Sequence, residues 1–267
     1  NDISDISPLT DLTNLALLDL TRNPLNTQAY SIHIPQIMAN NPGLVYNIDL
    51  FYDLPPQPVY FADSNLKAAV EETLGISDPT PIDMLALTYL DAVDRGIVDL
   101  TGLEYATNLW GLDLHTNNIS DISVLSALTN LVAIKLGNSQ IDDISALAGL
   151  TNLESIEIFD NQISDISPLS NLTKLRTLLL TKNQISDITA LSELTNLTRL
   201  TLGINQISDI SALSRLTKLT SLMLERNDIS DISSISGLTD LEWLYISKNQ
   251  ISDISALSEL TNLDTLH

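Results

Sequence analysis

Residues 191–211 read LSELTNLTRLTLGINQISDIS, and this stretch decides the fold because its pattern returns along the chain every 22 residues. The motif Asn-Gln-Ile-Ser-Asp-Ile begins at Asn161, Asn183, Asn205 and Asn249. Close variants begin at Asn1, Asn117, Ser139 and Asn227. Between copies runs Leu-x-x-Leu-Thr-Asn-Leu-x-x-Leu-x-Leu, and a period of roughly 20–29 residues with these leucines is typical of a leucine-rich-repeat solenoid. We therefore predict an α/β solenoid.

The Leu-x-Leu step before each asparagine, for example at Leu200 and Leu202, predicts a short β-strand with both leucines pointing inward. Stacked repeats then form a parallel sheet, and the residues between the leucines point outward on its concave face. Ile207 and Ile210 are expected to point inward from the opposite, convex wall, where the chain runs through irregular or 3-10 turns.

The first 50 residues form a separate piece of this pattern. Residues 1–23 are predicted to be the end of a repeat array, and residues 24–50 to be its C-terminal cap. Within the cap, residues 27–40 read as a helix and residues 44–48 as a strand. Such a cap covers the apolar end of a solenoid.

A second array follows. Residues 51–58 contain three prolines and are expected to be a stiff linker. Residues 59–86 are predicted to be a helical N-terminal cap, because Asp63 stands at a helix N-cap position and Gly75 stops the helix. Residues 87–267 are predicted to be the repeat array, truncated within a repeat at His267.

Two polar residues recur at the turns of the repeats. The asparagine that ends each strand can bond backbone groups freed at the turn, and Ser139 is too short to span the same gap. The recurring aspartates are expected to accept backbone N–H bonds at the next turn. The alternative is a row of Ca²⁺ sites, but each repeat lacks the further oxygen ligands that Ca²⁺ prefers, and we predict no metal. The aspartates are Asp5, Asp121, Asp143, Asp165, Asp187, Asp209, Asp231 and Asp253.

Composition excludes several classes of partner. The 34 acidic and 12 basic residues give a net charge of −22, which argues against nucleic acid and against anionic membrane surfaces. No apolar run approaches the length of a membrane span, so we predict no membrane insertion. The chain has no cysteine and therefore no disulfide framework or thiolate metal site.

No stretch of the sequence carries catalytic chemistry. His33, His115 and His267 stand at unrelated repeat positions, and no metalloprotease, nucleophile-elbow, P-loop or dinucleotide-binding motif occurs. We therefore predict a protein that is not an enzyme, with no catalytic residues and no cofactor.

Outward strand positions carry the most informative residues. Trp243, Tyr245 and Met223 gather near the C-terminal end of the predicted concave face, with Arg199 one repeat further back. Exposed aromatic side chains of this kind favour a contact surface for a ligand. We predict that these residues bind the ligand, together with the outward residues Phe159 and Leu179.

The repeat unit LTNLxxLxLxxNQISDIS resembles the 22-residue repeats of the internalin-like bacterial surface proteins. The stretch FADSNLKAAV at residues 61–70 is similar to the helical cap that precedes such arrays in secreted bacterial repeat proteins. The resemblance covers essentially the whole chain. It implies a secreted or cell-surface location and a protein or glycan partner.

Two functions remain open from the sequence. The first is an interaction module that binds a protein or glycan through the concave sheet. The second is a structural subunit of an extracellular filament or sheath. His267 occupies the same repeat position as Thr201, which is followed after three residues by the motif that begins at Asn205. Residues 1–6 have the sequence of that motif, so they match what would follow His267 after a gap of three residues.

That alignment predicts a head-to-tail junction, either between tandem copies in a longer protein or between separate copies. Its expected residues are Asn1, Ile3, Ile6, Leu263, Leu266 and His267.

Overall fold

A computed structural model describes residues 3–20, 25, 28–41, 43–47 and 57–267. Asn1 and residues 51–56 of the expected linker lie outside the described residues. The helices are a π-helical turn at Ala29–His33, α1 at Ile34–Asn40 and α2 at Ser64–Leu74. The strands are β1 Leu17–Asp19, β2 Val45–Asn47, β3 Tyr89–Asp91, β4 Gly111–Asp113, β5 Ala133–Lys135, β6 Ser155–Glu157, β7 Thr177–Leu179, β8 Arg199–Thr201, β9 Ser221–Met223, β10 Trp243–Tyr245 and β11 Thr265–Leu266.

Strands β3 to β11 form one nine-stranded parallel sheet in chain order. Each strand pairs with the residues 22 positions away, so Arg199 lies opposite Ser221 and Ser221 lies opposite Trp243. On the opposite wall, short 3-10 segments such as Ser167–Leu169 and Thr189–Leu191 stack on one another. The predicted leucine-rich-repeat solenoid, with strands on one wall and 3-10 turns on the other, is confirmed.

The interior of the array is one continuous apolar core. Leu200 and Leu202 point in from the sheet, while Ile207 and Ile210 point in from the turn wall, and all four are buried. Burying one such side chain contributes roughly 1.5–3 kcal/mol. Because each repeat supplies the same set, the core extends by one layer per repeat.

The asparagine that ends each strand joins its own repeat to the preceding one. The Oδ1 atom of Asn183 accepts the N–H of Ile163 at 3.1 Å. Its Nδ2 donates to the carbonyls of Ile158 and Leu180, both at 3.0 Å. At the same position Ser139 has only its hydroxyl, which donates to the carbonyl of Asn117 at 3.2 Å. The expected weak position at Ser139 therefore has a structural basis.

A second asparagine ladder, which the sequence analysis did not single out, follows the Leu-Thr step. The Nδ2 atom of Asn152 donates to the carbonyl of Thr129 at 3.0 Å, and that of Asn196 donates to the carbonyl of Thr173 at 2.9 Å. These bonds tie the repeats that carry this asparagine to their predecessors, and Lys174 and Lys218 at the same position donate to Asn152 and Asn196.

The aspartates at the turns accept the backbone N–H two residues further on. The Oδ1 atom of Asp209, for example, accepts from the N–H of Ser211 at 2.8 Å. This hydrogen bond and that from the Ser211 hydroxyl hold the pKa of Asp209 below its ordinary value. The same shift is found at Asp5, Asp143, Asp165, Asp187, Asp231 and Asp253.

Helix α2 closes the N-terminal end of the array. Asp63 caps it by accepting the N–H groups of Asn65 and Leu66, and Gly75 ends it with φ of 67°. The other carboxylate oxygen of Asp63 accepts the N–H of Val98 at 2.7 Å, which lies in the first repeat. One side chain therefore caps the helix and attaches it to the array. After α2, the cap continues into a short 3-10 turn at Asp83–Ala86.

The described part of residues 3–47 has its own core and its own two-stranded parallel sheet, β1 with β2. The helix predicted over residues 27–40 consists of the π-helical turn and α1. Pro35 lies in the first turn of α1, and its missing N–H removes an α-helical hydrogen bond to the preceding turn. Asn41 then donates to the carbonyl of Leu12 at 2.7 Å, which attaches the helix to the repeat fragment.

Candidate functional site

The concave face has three rows of outward side chains that run across the strands. The first row contains Tyr89, Gly111, Ala133, Ser155, Thr177, Arg199, Ser221, Trp243 and Thr265. The middle row contains Asp91, Asp113, Lys135, Glu157, Leu179, Thr201, Met223 and Tyr245. The third row lies just after the strands and includes His115, Gly137, Phe159, Gly203 and Glu225.

The C-terminal part of this face holds four of the predicted ligand-binding residues. Trp243 is 40% exposed in β10. Tyr245 lies in the same strand, directly opposite Met223 of β9. Arg199 is exposed but is separated from Trp243 by the buried Ser221.

His267 covers part of this group. Its ring stacks on the ring of Tyr245, with centroids 4.8 Å apart and an interplanar angle of 18°. Trp243 therefore offers more free aromatic surface to a ligand than Tyr245 does.

Phe159 and Leu179 do not belong to the same group. The ring of Phe159 packs against His115, with centroids 5.1 Å apart. Leu179 lies half-buried in the middle row, between Glu157 and Thr201. The six predicted residues are thus distributed over two regions of the concave face.

Charged residues are concentrated in the N-terminal region. The Nζ atom of Lys135 lies 3.3 Å from Oδ2 of Asp113, and Nδ1 of His115 lies 3.2 Å from Oδ1 of Asp113. The Nε2 atom of His115 lies 3.9 Å from Glu157. Burial lowers the pKa of Lys135, but the carboxylates of Asp113 and Glu157 outweigh this effect, so the pKa is raised and the amine remains charged.

Two exposed aromatic residues beside this cluster escaped the sequence analysis. Tyr89 is 40% and Trp110 49% exposed, and their ring centroids lie 5.4 Å apart. The repeat pattern could have placed Tyr89 on the concave face, because Tyr89 precedes Gly111 by one period and shares the strand position of Trp243. This position was hard to recognise because the repeat that contains Tyr89 lacks the usual asparagine motif.

Glycines on the concave face make room for large neighbours. A Cβ atom at Gly111 would lie 2.6 Å from the Tyr89 ring, and one at Gly137 would lie 2.7 Å from Phe159. A Cβ at Gly203 would meet the carboxylate of Glu225 at 2.4 Å. These side chains therefore lie flat across the sheet instead of projecting from it.

The turn wall offers repeated clefts. One is lined by Ser208, Asp209, Ser211, Asp231 and Ser233, and equivalent clefts lie between other pairs of turns. They follow from the repeat and do not distinguish one place on the wall. Within the described ranges, no three His, Asp or Glu side chains are grouped closely enough to hold a metal ion.

The residues predicted to form a junction have different environments. Ile3 is 40% exposed, whereas Ile6 is buried in the core of its own unit. Leu266 is 51% and Ile254 63% exposed, although their equivalents one repeat earlier, Leu244 and Ile232, are buried. Leu263 is half-buried, and the His267 N–H donates to the Leu244 carbonyl at 3.0 Å. Asn1 lies outside the described residues.

None of the helices in the described part of the chain is both long and apolar enough to cross a membrane.

Comparison with known proteins identifies the repeats. The family model described as leucine rich repeats (2 copies) matches residues 151–193 and 195–237. No curated protein sequence matches the chain.

Solved structures give a closer match. The crystal structure of an internalin C2 from Listeria monocytogenes is 36% identical, with a TM-score of 0.75. The match covers 81% of this chain and 99% of the internalin.

Two more distant structures share the fold. A leucine-rich-repeat protein of Leptospira interrogans is 22% identical over 99% of this chain and 69% of its own, with a TM-score of 0.65. A functional domain of internalin J from Listeria monocytogenes is 23% identical over 79% of this chain and 56% of its own, with a TM-score of 0.59. That domain is described as including a cysteine ladder, which this cysteine-free chain cannot form.

Proposed function

The chain belongs to the internalin family of leucine-rich-repeat proteins, and from this premise we propose that it is a secreted or cell-surface interaction module without enzymatic activity. Its concave face binds a partner, and a protein is the partner class that the surface favours over a glycan. The single observation that carries this proposal is the distribution of exposed aromatic residues. Tyr89 and Trp110 at one end of the concave face and Trp243 at the other are exposed on a continuous sheet.

A rigid sheet presents these rings without an ordering cost. Aromatic side chains supply large contact areas with few rotatable bonds, and they dominate the binding energy of many interfaces. Strands β4 to β10 are held by backbone ladders on both sides and the edge strand β3 on one side, so partner binding does not have to order a loop.

Single-cysteine labelling tests whether the concave face binds the partner. The chain contains no cysteine, so Ser155→Cys on the concave face and Ser214→Cys on the turn wall each introduce one labelling site. Each variant is coupled to a polyethylene glycol maleimide and applied to arrays of extracellular protein domains and of glycans. Binding should be lost with the Ser155 conjugate and kept with the Ser214 conjugate. Equal binding by both conjugates would contradict the proposal.

The C-terminal aromatic residues provide a mutational prediction. Replacing Trp243 and Tyr245 together by alanine should weaken binding to an array-identified partner by about 2 kcal/mol or more, as expected for central aromatic contacts. The melting temperature should change little, because Trp243 is 40% exposed and its backbone bonds remain. Calorimetric titration measures the effect, and an unchanged dissociation constant would contradict this role for the pair.

A structural subunit is the second candidate, and apolar exposure favours it. Leu266 and Ile254 are exposed on the outer side of the last repeat, and Ile3 is exposed in the fragment that contains β1. A contact between these two surfaces would be heterologous, and repeated contacts of this kind build open filaments.

Electron microscopy and sedimentation at increasing concentration test this candidate. Head-to-tail assembly predicts concentration-dependent rods that Ile254→Arg disperses. Ser214→Arg on the turn wall is the matched control and should leave the rods intact. A single monomeric species over the whole range would reject the structural function.

A further inference from the structure

We propose that the N-terminal concave surface, formed by Tyr89, Asp91 and Trp110, binds an arginine side chain of the partner protein. The inference rests on the proposed function, because it assumes that a protein docks on the concave face. It adds the chemical group that the surface recognises and the place where recognition occurs.

The middle row of the concave face has more carboxylates than amines at its N-terminal end. Asp91, Asp113, Lys135 and Glu157 lie side by side on β3 to β6. Three carboxylates therefore face one amine, and Lys135 is committed to Asp113 at 3.3 Å. Among the described residues, no cationic group lies within 4.0 Å of the exposed Asp91. The row thus retains an excess of negative charge at its Asp91 end.

The carboxylates of Asp113 and Asp91 differ in the hydrogen bonds that they already accept. Asp113 accepts the N–H of His115 at 3.2 Å and lies 3.2 Å from Nδ1 of the same residue. Asp91 has only a 3.4 Å contact from the N–H of Val93. The Asp91 carboxylate can therefore accept further hydrogen bonds, and a guanidinium offers five N–H donors in a planar arrangement.

An aromatic surface lies on the same face of the sheet as Asp91. Tyr89 precedes Asp91 by two residues and therefore lies on the same face of β3. Its ring lies across Gly111 and packs at 5.4 Å against Trp110, and both rings remain substantially exposed. Guanidinium groups stack on aromatic faces more readily than ammonium groups, so this combination favours arginine over lysine.

The long-range field supports the same occupant. Residues 57–134, which form the N-terminal cap and the first repeats of the array, carry 11 acidic and 2 basic residues, a net charge of −9. A basic partner surface would be attracted to this part of the array before contact. A neutral glycan would use the aromatic rings but would not be attracted by this long-range field.

The test uses N-acetyl-argininamide as the probe and Trp110 as the reporter. The chain has two tryptophans, so Trp243→Phe leaves Trp110 as the only indole, and Trp110→Phe leaves Trp243. The fluorescence of the Trp110-only protein should change saturably at millimolar probe. N-acetyl-citrullinamide, which has nearly the same shape without the charge, should bind at least tenfold more weakly.

Three variants in the Trp110-only background locate the site. Asp91→Asn should weaken the argininamide response at least fivefold, whereas Asp91→Glu should preserve most of it. Asp240→Asn changes the net charge equally but lies outside the concave rows, and it should have no effect. Circular dichroism verifies that each variant has the same melting temperature as its parent.

Several results would overturn the proposal. They are equal binding of the charged and neutral probes, an equal response in the Trp243-only protein, or no effect of Asp91→Asn. A saturable response to oligosaccharides with none to argininamide would assign the surface to a glycan instead. If the Ser155 conjugate blocks a protein partner whose affinity is unchanged by Asp91→Asn, the concave face still binds protein and only the arginine site is rejected.

Discussion

At the scale of single residues, the ladder asparagine is the most demanding position in the repeat. It needs a side chain with two donors and an acceptor at the right reach, and Asn183 uses all three. Ser139 makes one bond to a neighbouring carbonyl and does not reach the other two groups. The repeat junction at residue 139 is therefore held by fewer hydrogen bonds than its neighbours.

Reciprocal substitutions at these two positions test that difference. Asn183→Ser removes buried hydrogen bonds and should cost about 1–3 kcal/mol. Ser139→Asn should add about 1 kcal/mol, which corresponds to a rise of roughly 2–4 °C in melting temperature for a chain of this size. Thermal unfolding followed by circular dichroism measures both. A destabilising Ser139→Asn would show that the local backbone does not accept the amide.

At the scale of the elements, the capped turns of the convex wall depend on ionised aspartates. The carboxylate of Asp209 accepts the Ser211 N–H, and this bond lowers the pKa of Asp209 in the folded chain below its ordinary value of 3.8. A lowered folded pKa means that the stabilisation is complete above the unfolded pKa. It is lost as the pH falls through the folded pKa, because the protonated group is a weaker acceptor.

Asp209→Asn separates this effect from the general charge of the protein. The variant should melt below the parent at neutral pH, because a neutral amide oxygen accepts the Ser211 N–H less strongly. The difference should shrink as the pH falls below about 4, where the parent aspartate becomes protonated. Melting curves from pH 7 to pH 2 measure it, and a difference that is constant over this range would contradict the assigned role.

The N-terminal cap depends on a single carboxylate in a similar way. Asp63 accepts N–H groups from α2 and, at 2.7 Å, from Val98 of the first repeat. Asp63→Ala should destabilise the chain by about 1–2 kcal/mol, as for loss of other helix N-caps. Hydrogen exchange should show faster opening in α2 than in the central repeats. Ser64→Ala is the control and should have a small effect, because Ser64 is the first residue of α2 and not its N-cap.

At the scale of the whole molecule, the array behaves as a stack of equivalent layers. Each strand pairs in the same register with the next, and each layer contacts only its neighbours. Stability in such a solenoid is approximately a sum of repeat and interface contributions. The fold should therefore tolerate a change in repeat number but not a change in phase.

Two internal deletions test this property. Removing residues 161–182 deletes one complete repeat, so the cooperative melting transition should remain and the particle should shorten by about 4.8 Å, one strand spacing. Removing residues 161–171 breaks the period and should abolish the native transition. Circular dichroism and small-angle scattering distinguish the outcomes. Equal stability of both variants would contradict a layered core.

The sequence by itself determined the solenoid, its inward residues and its turn chemistry. A fixed 22-residue period places equivalent residues on top of one another, so Leu200, Asn205 and Asp209 acquire their partners from the repeat alone. The Asp63 cap was predictable for a different reason, because helix capping depends only on neighbouring residues.

Only the tertiary structure decided which outward side chains meet. Tyr89 lies across Gly111 against Trp110, and His115 and Phe159 meet over Gly137. The first contact joins neighbouring repeats at different positions, and the second spans two repeats at the same position. The period does not specify the direction of a side chain on the open face. The physical reason is that inward residues are confined by a packed core, whereas outward residues lie wherever a missing Cβ or an opposite charge gives them room.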